Sequence, residues 1–125
     1  MGANFMNILK VAIVVLAGTD TYEGMGRVAN ALVAVQEYKE AGDDVQLIFD
    51  GAGVGWPPEL SKSNHLLHGL YQSVRDKIIG VCSYCASAFN VQDQIKDSGL
   101  SNLGEYNGHP SFRKLSAQGY QVLTF

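Results

Sequence analysis

A chain of 125 residues, 46% apolar and 17% charged, suits one globular domain with a sizeable core rather than a disordered chain. Its net charge is −3 and it has no run of Lys and Arg, which argues against a nucleic-acid partner. The longest apolar run, Val11 to Ala17, is too short to span a bilayer, so no membrane partner is expected.

Met1 to Lys10 lacks the charged start, apolar middle and small-residue cleavage site of a secretory leader. The two cysteines, Cys82 and Cys85, are three positions apart and make no disulfide framework. They fit a reducing compartment, and the expected location is the cytoplasm.

Ile8 to Ala17 is rich in Val and Ile and nearly all apolar. Such a run suits a central strand covered on both faces, as in a parallel sheet. Asp20 with Glu23 resembles a capping box with Asp20 as the cap. Met25, Val28, Ala29, Leu32 and Val35 follow at helical spacing to about Lys39, and Gly42 suits the left-handed stop. Gly24-Met25-Gly26-Arg27-Val28-Ala29 formally matches a dinucleotide-binding fingerprint, with Asp50 placed as a ribose-binding acid. The glycines come too late after the first strand, so the match is read as accidental.

Val45 to Phe49 is the second strand, and Asp50 to Trp56 is a glycine-rich loop at its end. Pro57 and Pro58 suit a helix entry. Leu60, Leu67, Leu70, Tyr71 and Val74 outline one second helix. Lys77 to Val81 is the third strand. A helix with Ala86 and Ala88 follows; Asn90 suits a left-handed break, or else the helix runs on, or restarts, through Gln92 to Lys96. Ser101 to Tyr106 is a short fourth strand. His109-Pro110 opens a last helix with Phe112 and Leu115, Gly119 ends it, and Tyr120 to Phe125 is the closing strand.

Every crossover is long enough to hold a helix, which predicts a single three-layer α/β/α domain over residues 1–125 with a mostly parallel five-stranded sheet. Strand order does not follow from this. Ligands of such sheets bind outside the carboxyl ends of the strands. That rim would gather Thr19 and Asp20, the loop from Asp50 to Trp56, Cys82 to Cys85, and Asn107 to His109. Cys82 ends a strand and Cys85 sits in the first turn of the next helix. Free N–H groups and the helix dipole there favour a thiolate, so a lowered thiol pKa is expected.

The ordered pattern of Phe49-Asp50-Gly51-Ala52-Gly53-Val54, Val81-Cys82, Ser101-Asn102-Leu103 and an end at Phe125 resembles the DsrE/DsrF family of sulfur-relay proteins, which includes DsrE, TusD and YchN-like members. The resemblance runs over almost the whole chain. It implies that Cys82 accepts sulfane sulfur as a persulfide and passes it to a partner. Cys85 matches the second cysteine of YchN-like members. Implied partners are sulfur donor and acceptor proteins and further copies of the chain in a trimer or hexamer. No cofactor and no metal are expected. The step is sulfur transfer on a cysteine rather than turnover of a small substrate.

Each candidate has a plainer reading. Cys82 and Cys85 could be small core residues. Cys85 could resolve a disulfide or persulfide with Cys82, or pack on the inner face of its helix. The candidate ligand-binding residues are Thr19 and Asp20 after the first strand, Gly51, Gly53 and Trp56 after the second, Tyr84 between the cysteines, and His109. Gly51 and Gly53 could equally form a flexible connection, and His109 could be turn chemistry. His65 and His68 with the two cysteines would complete a Cys2His2 zinc set, but the zinc-finger arrangement is absent. No Ser-His-Asp set or carboxylate pair stands out. The alternative to a sulfur carrier is a non-catalytic module that holds a small molecule or a protein at the rim.

Overall fold

The computed structural model of the chain describes residues 7–125. The reading of Met1 to Lys10 as lacking a leader falls mostly outside them. Five strands, β1 (Lys10–Val15), β2 (Asp44–Phe49), β3 (Ile78–Cys82), β4 (Asn102–Leu103) and β5 (Gln121–Thr124), form one sheet. Its order is β4-β3-β2-β1-β5 and every pair is parallel. The expected parallel three-layer α/β domain is therefore what forms. Among the described residues no helix is long and apolar enough to cross a membrane.

The burial of β1 explains its place. Val11 to Val15 are all buried, and β1 lies between β2 and β5. Alternate residues serve different layers. Val11, Ile13 and Val15 join the larger core with Val28, Leu32, Trp56 and Tyr71. Ala12 and Val14 face a smaller one with Ile48 and Leu115. The larger side carries residues from α1 (Tyr22–Glu40), α2 (Trp56–Leu60), α3 (His68–Val74), α4 (Ser83–Ala88) and α5 (Gln92–Ser98). The smaller side is covered by α6 (Phe112–Ala117), only six residues long.

Several local expectations shift. The cap of α1 is Thr21, whose hydroxyl accepts from the Gly24 N–H at 2.9 Å, not Asp20. Glu23 instead pairs with Arg27 on the exposed face. Gly24 and Gly26 do lie inside α1, so the dinucleotide motif has no strand–turn–helix context. The single second helix is two helices, α2 and α3, separated by a turn. The His68 ring Nδ1 lies 2.8 Å from the Leu60 carbonyl oxygen and spans the break. The six residues from Ser61 to Leu66 carry only Leu66 as an apolar side chain, and it is 84% exposed. Without a buried stripe, tertiary packing cannot hold a continuous helix there.

Gly42 and Gly119 are left-handed, at φ 82 and 88, and stop α1 and α6. Asn90 at φ 59 makes the break between α4 and α5. β4 is shorter than Ser101 to Tyr106. The chain turns away after Leu103, and Tyr106 and His109 close a small antiparallel bridge. That bridge carries His109 toward the end of β3.

Candidate functional site

The carboxyl ends of β2 and β3 lie side by side, and each delivers one reactive group. Asp50 follows β2 directly. It begins a 3-10 turn, Gly51–Gly55, and its carboxylate accepts from the Gly51 N–H at 2.7 Å. Cys82 is the last residue of β3 and the cap of α4, and its sulfur accepts from the Cys85 N–H at 3.4 Å. The Cys85 thiol donates to the Asp50 carboxylate at 3.6 Å. His109 arrives from the loop before α6, with Nδ1 3.4 Å from the Cys82 sulfur. The Tyr84 ring lies over the His109 imidazole, with centroids 4.8 Å apart and planes tilted by 32°, and so limits its rotation.

The ligand atoms of Asp50, Cys82, Cys85 and His109 thus all lie within 4.8 Å of one another. Asp50 and Cys82 are buried, and Cys85 and His109 are partly so. Asp50 and His109 also line a pocket of about 680 Å³ with Tyr106, Pro110, Phe112 and Arg113. Cys82 lies behind them and is fully buried.

Burial reverses the expected thiol acidity. The Cys82 pKa is pushed up from 9.0 to about 12, first by desolvation, while the Cys85 N–H works in the opposite direction. The Cys85 thiol and the Asp50 carboxylate add to the rise. A helix of six residues offers one N–H to the sulfur, and that does not offset a dry site beside a carboxylate. Cys82 therefore rests as a thiol. In the folded chain, Cys82 alkylation by iodoacetamide should keep accelerating from pH 9 toward 12, whereas in urea it should level off near 9. Site-resolved mass spectrometry reads both, and a plateau near pH 9 in the folded chain would contradict the raised pKa. The sign for stability follows. The unfolded thiol ionises near 9.0 and the folded one near 12, so this stabilising contribution is complete below pH 9 and is lost as pH climbs toward 12.

The rim expected to be one site is two. Thr19, Asp20 and Trp56 lie together around a separate pocket of about 540 Å³ with Glu59 and His65. Trp56 is nearly buried there, and its indole N–H donates to the Ala17 carbonyl at 2.8 Å. The glycine-rich stretch is a 3-10 turn rather than an open loop. Gly53 lies so close to β1 that a Cβ would come within 2.2 Å of the Val15 carbonyl oxygen. Gly51 is left-handed at φ 53 and passes Leu16. His65 and His68 do not approach the cysteines. His65 sits edge-on to Trp56 and accepts from the Leu67 N–H, so the Cys2His2 set does not assemble. Sequence alone presents Asp50 as the head of the glycine loop and as the acid of an accidental dinucleotide motif, not as a partner of the cysteines. The signal that places it in the site is its position directly after β2, the strand that pairs with β3.

No protein-family model matches the chain. The solved structure of a conserved protein of unknown function, BT1422 from Bacteroides thetaiotaomicron, matches with a TM-score of 0.61 over 91% of this chain and 94% of that one. At 20% identity the likeness is one of fold alone. The uncharacterized protein MJ0733 of Methanocaldococcus jannaschii is 36% identical over 94 residues, which are 75% of this chain and 76% of that protein. At that identity and coverage, the chain belongs to the same family as MJ0733.

Proposed function

We propose that the protein is a sulfur carrier of the DsrE type, with Cys82 as the residue that holds the sulfur. One observation carries this reading: the Cys82 sulfur lies 3.4 Å from both the His109 Nδ1 and the Cys85 N–H, at the carboxyl edge of a parallel sheet. His109 takes the thiol proton as the donor arrives, which offsets the high cost of a bare thiolate in this site. The Cys82 sulfur attacks the terminal sulfur of a donor persulfide. The new S–S bond forms as the donor's S–S bond breaks, and the leaving thiolate recovers the proton from His109. The products are Cys82 persulfide and donor thiol. An acceptor thiol removes the sulfur by the same exchange, or Cys85 attacks the inner sulfur, releases hydrosulfide and leaves a Cys82–Cys85 disulfide.

The donor enters by the pocket that His109 and Asp50 line. Donor and acceptor are separate proteins, and the setting is the reducing cytoplasm. A trimer or hexamer would cover the thinly clad side of the sheet, where Ile79 is 42% and Phe112 is 43% exposed. The pocket also suits the second reading, a module that holds a small molecule without covalent chemistry.

Intact-mass analysis after incubation with glutathione persulfide separates the two. A gain of one sulfur atom in wild type and Cys85→Ser, and none in Cys82→Ser, is the expected result. No adduct on any form would sink the carrier and leave the binding module.

A further inference from the structure

We propose that Asp50, Cys82, Cys85 and His109 form a binding site for a thiophilic divalent cation, with Zn2+ as the best fit. The inference does not rest on sulfur transfer. The four ligand atoms come from the ends of β2 and β3, the first turn of α4 and the loop before α6, and all lie within 4.8 Å of one another. Zinc bonds of about 2.0–2.3 Å give tetrahedral edges of roughly 3.3–3.8 Å. Two edges already have that length: Cys82 to His109 at 3.4 Å and Cys85 to Asp50 at 3.6 Å. The remaining edges are no longer than 4.8 Å.

A second observation points the same way. Asp50 is 7% exposed and has no cationic partner among the described residues. Its neighbours are the Gly51 N–H and the Cys85 thiol. A carboxylate removed from water without a cation is costly, and a divalent ion supplies the missing charge. Two sulfurs and an imidazole select zinc, or iron and cobalt, over magnesium and calcium. Tyr84 packs against the His109 ring, whose Nδ1 is turned toward the Cys82 sulfur.

Binding breaks both S–H bonds. Each sulfur keeps its electron pair and donates it to the ion, and the two protons leave to solvent. Nothing is oxidised or reduced. His109 binds as neutral imidazole and Asp50 as carboxylate. The ion and a persulfide need the same Cys82 sulfur, so each excludes the other.

The test uses the full chain, reduced and stripped with a chelator, then titrated with Co2+ and, by competition, with Zn2+. One equivalent of Co2+ should bind with a sulfur-to-cobalt charge-transfer band and the visible bands of tetrahedral cobalt. Cys85→Ser and His109→Ala should weaken Zn2+ binding by roughly 100-fold or more, and Asp50→Asn should weaken it while keeping the charge-transfer band. His68→Ala should change nothing. Absence of the charge-transfer band in reduced wild type overturns the site, and so does unchanged zinc affinity in a folded His109→Ala chain. The wild-type spectrum needs no substitution, so the site stays testable even where a variant fails to fold. Metal binding without persulfide formation would support this site and count only against the carrier; persulfide formation on a chain with no cobalt–thiolate band would do the reverse.

Discussion

His109→Ala should slow persulfide formation on Cys82 by about 100- to 10,000-fold, the usual contribution of a positioned proton acceptor. Cys82 is fully buried and its pKa is pushed up to about 12, so at neutral pH almost no thiolate exists without help. The His109 imidazole is a side-chain base within reach, with Nδ1 3.4 Å from the sulfur. Without it, the proton must leave to hydroxide, and loading should rise steadily with pH toward 12. Wild type should load at neutral pH, where the variant scarcely does. Rapid-quench mass analysis at several pH values, with a chelator present to exclude metal competition, gives both quantities. Wild-type loading rates in His109→Ala would remove His109 from the mechanism and leave it as a loop residue or a metal ligand.

Gly53→Ala should destabilise the fold by about 3 kcal/mol, in the range for an overpacked core position. A methyl group at Gly53 would meet the Val15 carbonyl oxygen at 2.2 Å and the Val15 carbonyl carbon at 2.8 Å. Neither partner can yield easily. Val15 belongs to the interior strand β1, and its carbonyl accepts from the Asp50 N–H at 2.9 Å. Relief would therefore push away the turn that holds Asp50. A fall in Tm of roughly 10 °C is expected for a domain of this size. Gly26→Ala is the control. Gly26 is exposed on α1 with nothing within 4 Å of a new Cβ, so alanine there should stabilise by up to about 1 kcal/mol. Thermal unfolding of both variants reads the difference. A Gly53→Ala chain as stable as wild type would show that the turn is not pressed against β1.

These outcomes divide by the range over which their causes act. The run from Ile8 to Ala17, the helical spacing from Met25 to Val35 and the left-handed residues at Gly42, Asn90 and Gly119 each state a local preference, and each reports directly on a strand, a helix or its end. Cys82 at a strand end and Cys85 in the next helical turn are legible for the same reason. The break between α2 and α3 is hidden for the opposite reason. Its apolar residues suit one helix, but the intervening polar stretch has no buried apolar stripe to hold it helical.

Local pattern is enough for the alternation of elements, the parallel sheet and the placing of the cysteines at its carboxyl edge. The order β4-β3-β2-β1-β5 and the company the thiols keep come from the folded chain alone. His109 stands 27 positions from Cys82, and Asp50 stands 35 from Cys85, so no local pattern joins them. Strand pairing and the loop before α6 do so, and they send Thr19, Asp20 and Trp56 to a different pocket. The acidity of Cys82 has the same origin. Helix position alone predicts a lowered pKa, but burial and the nearby carboxylate raise it, and both are properties of space rather than of sequence order.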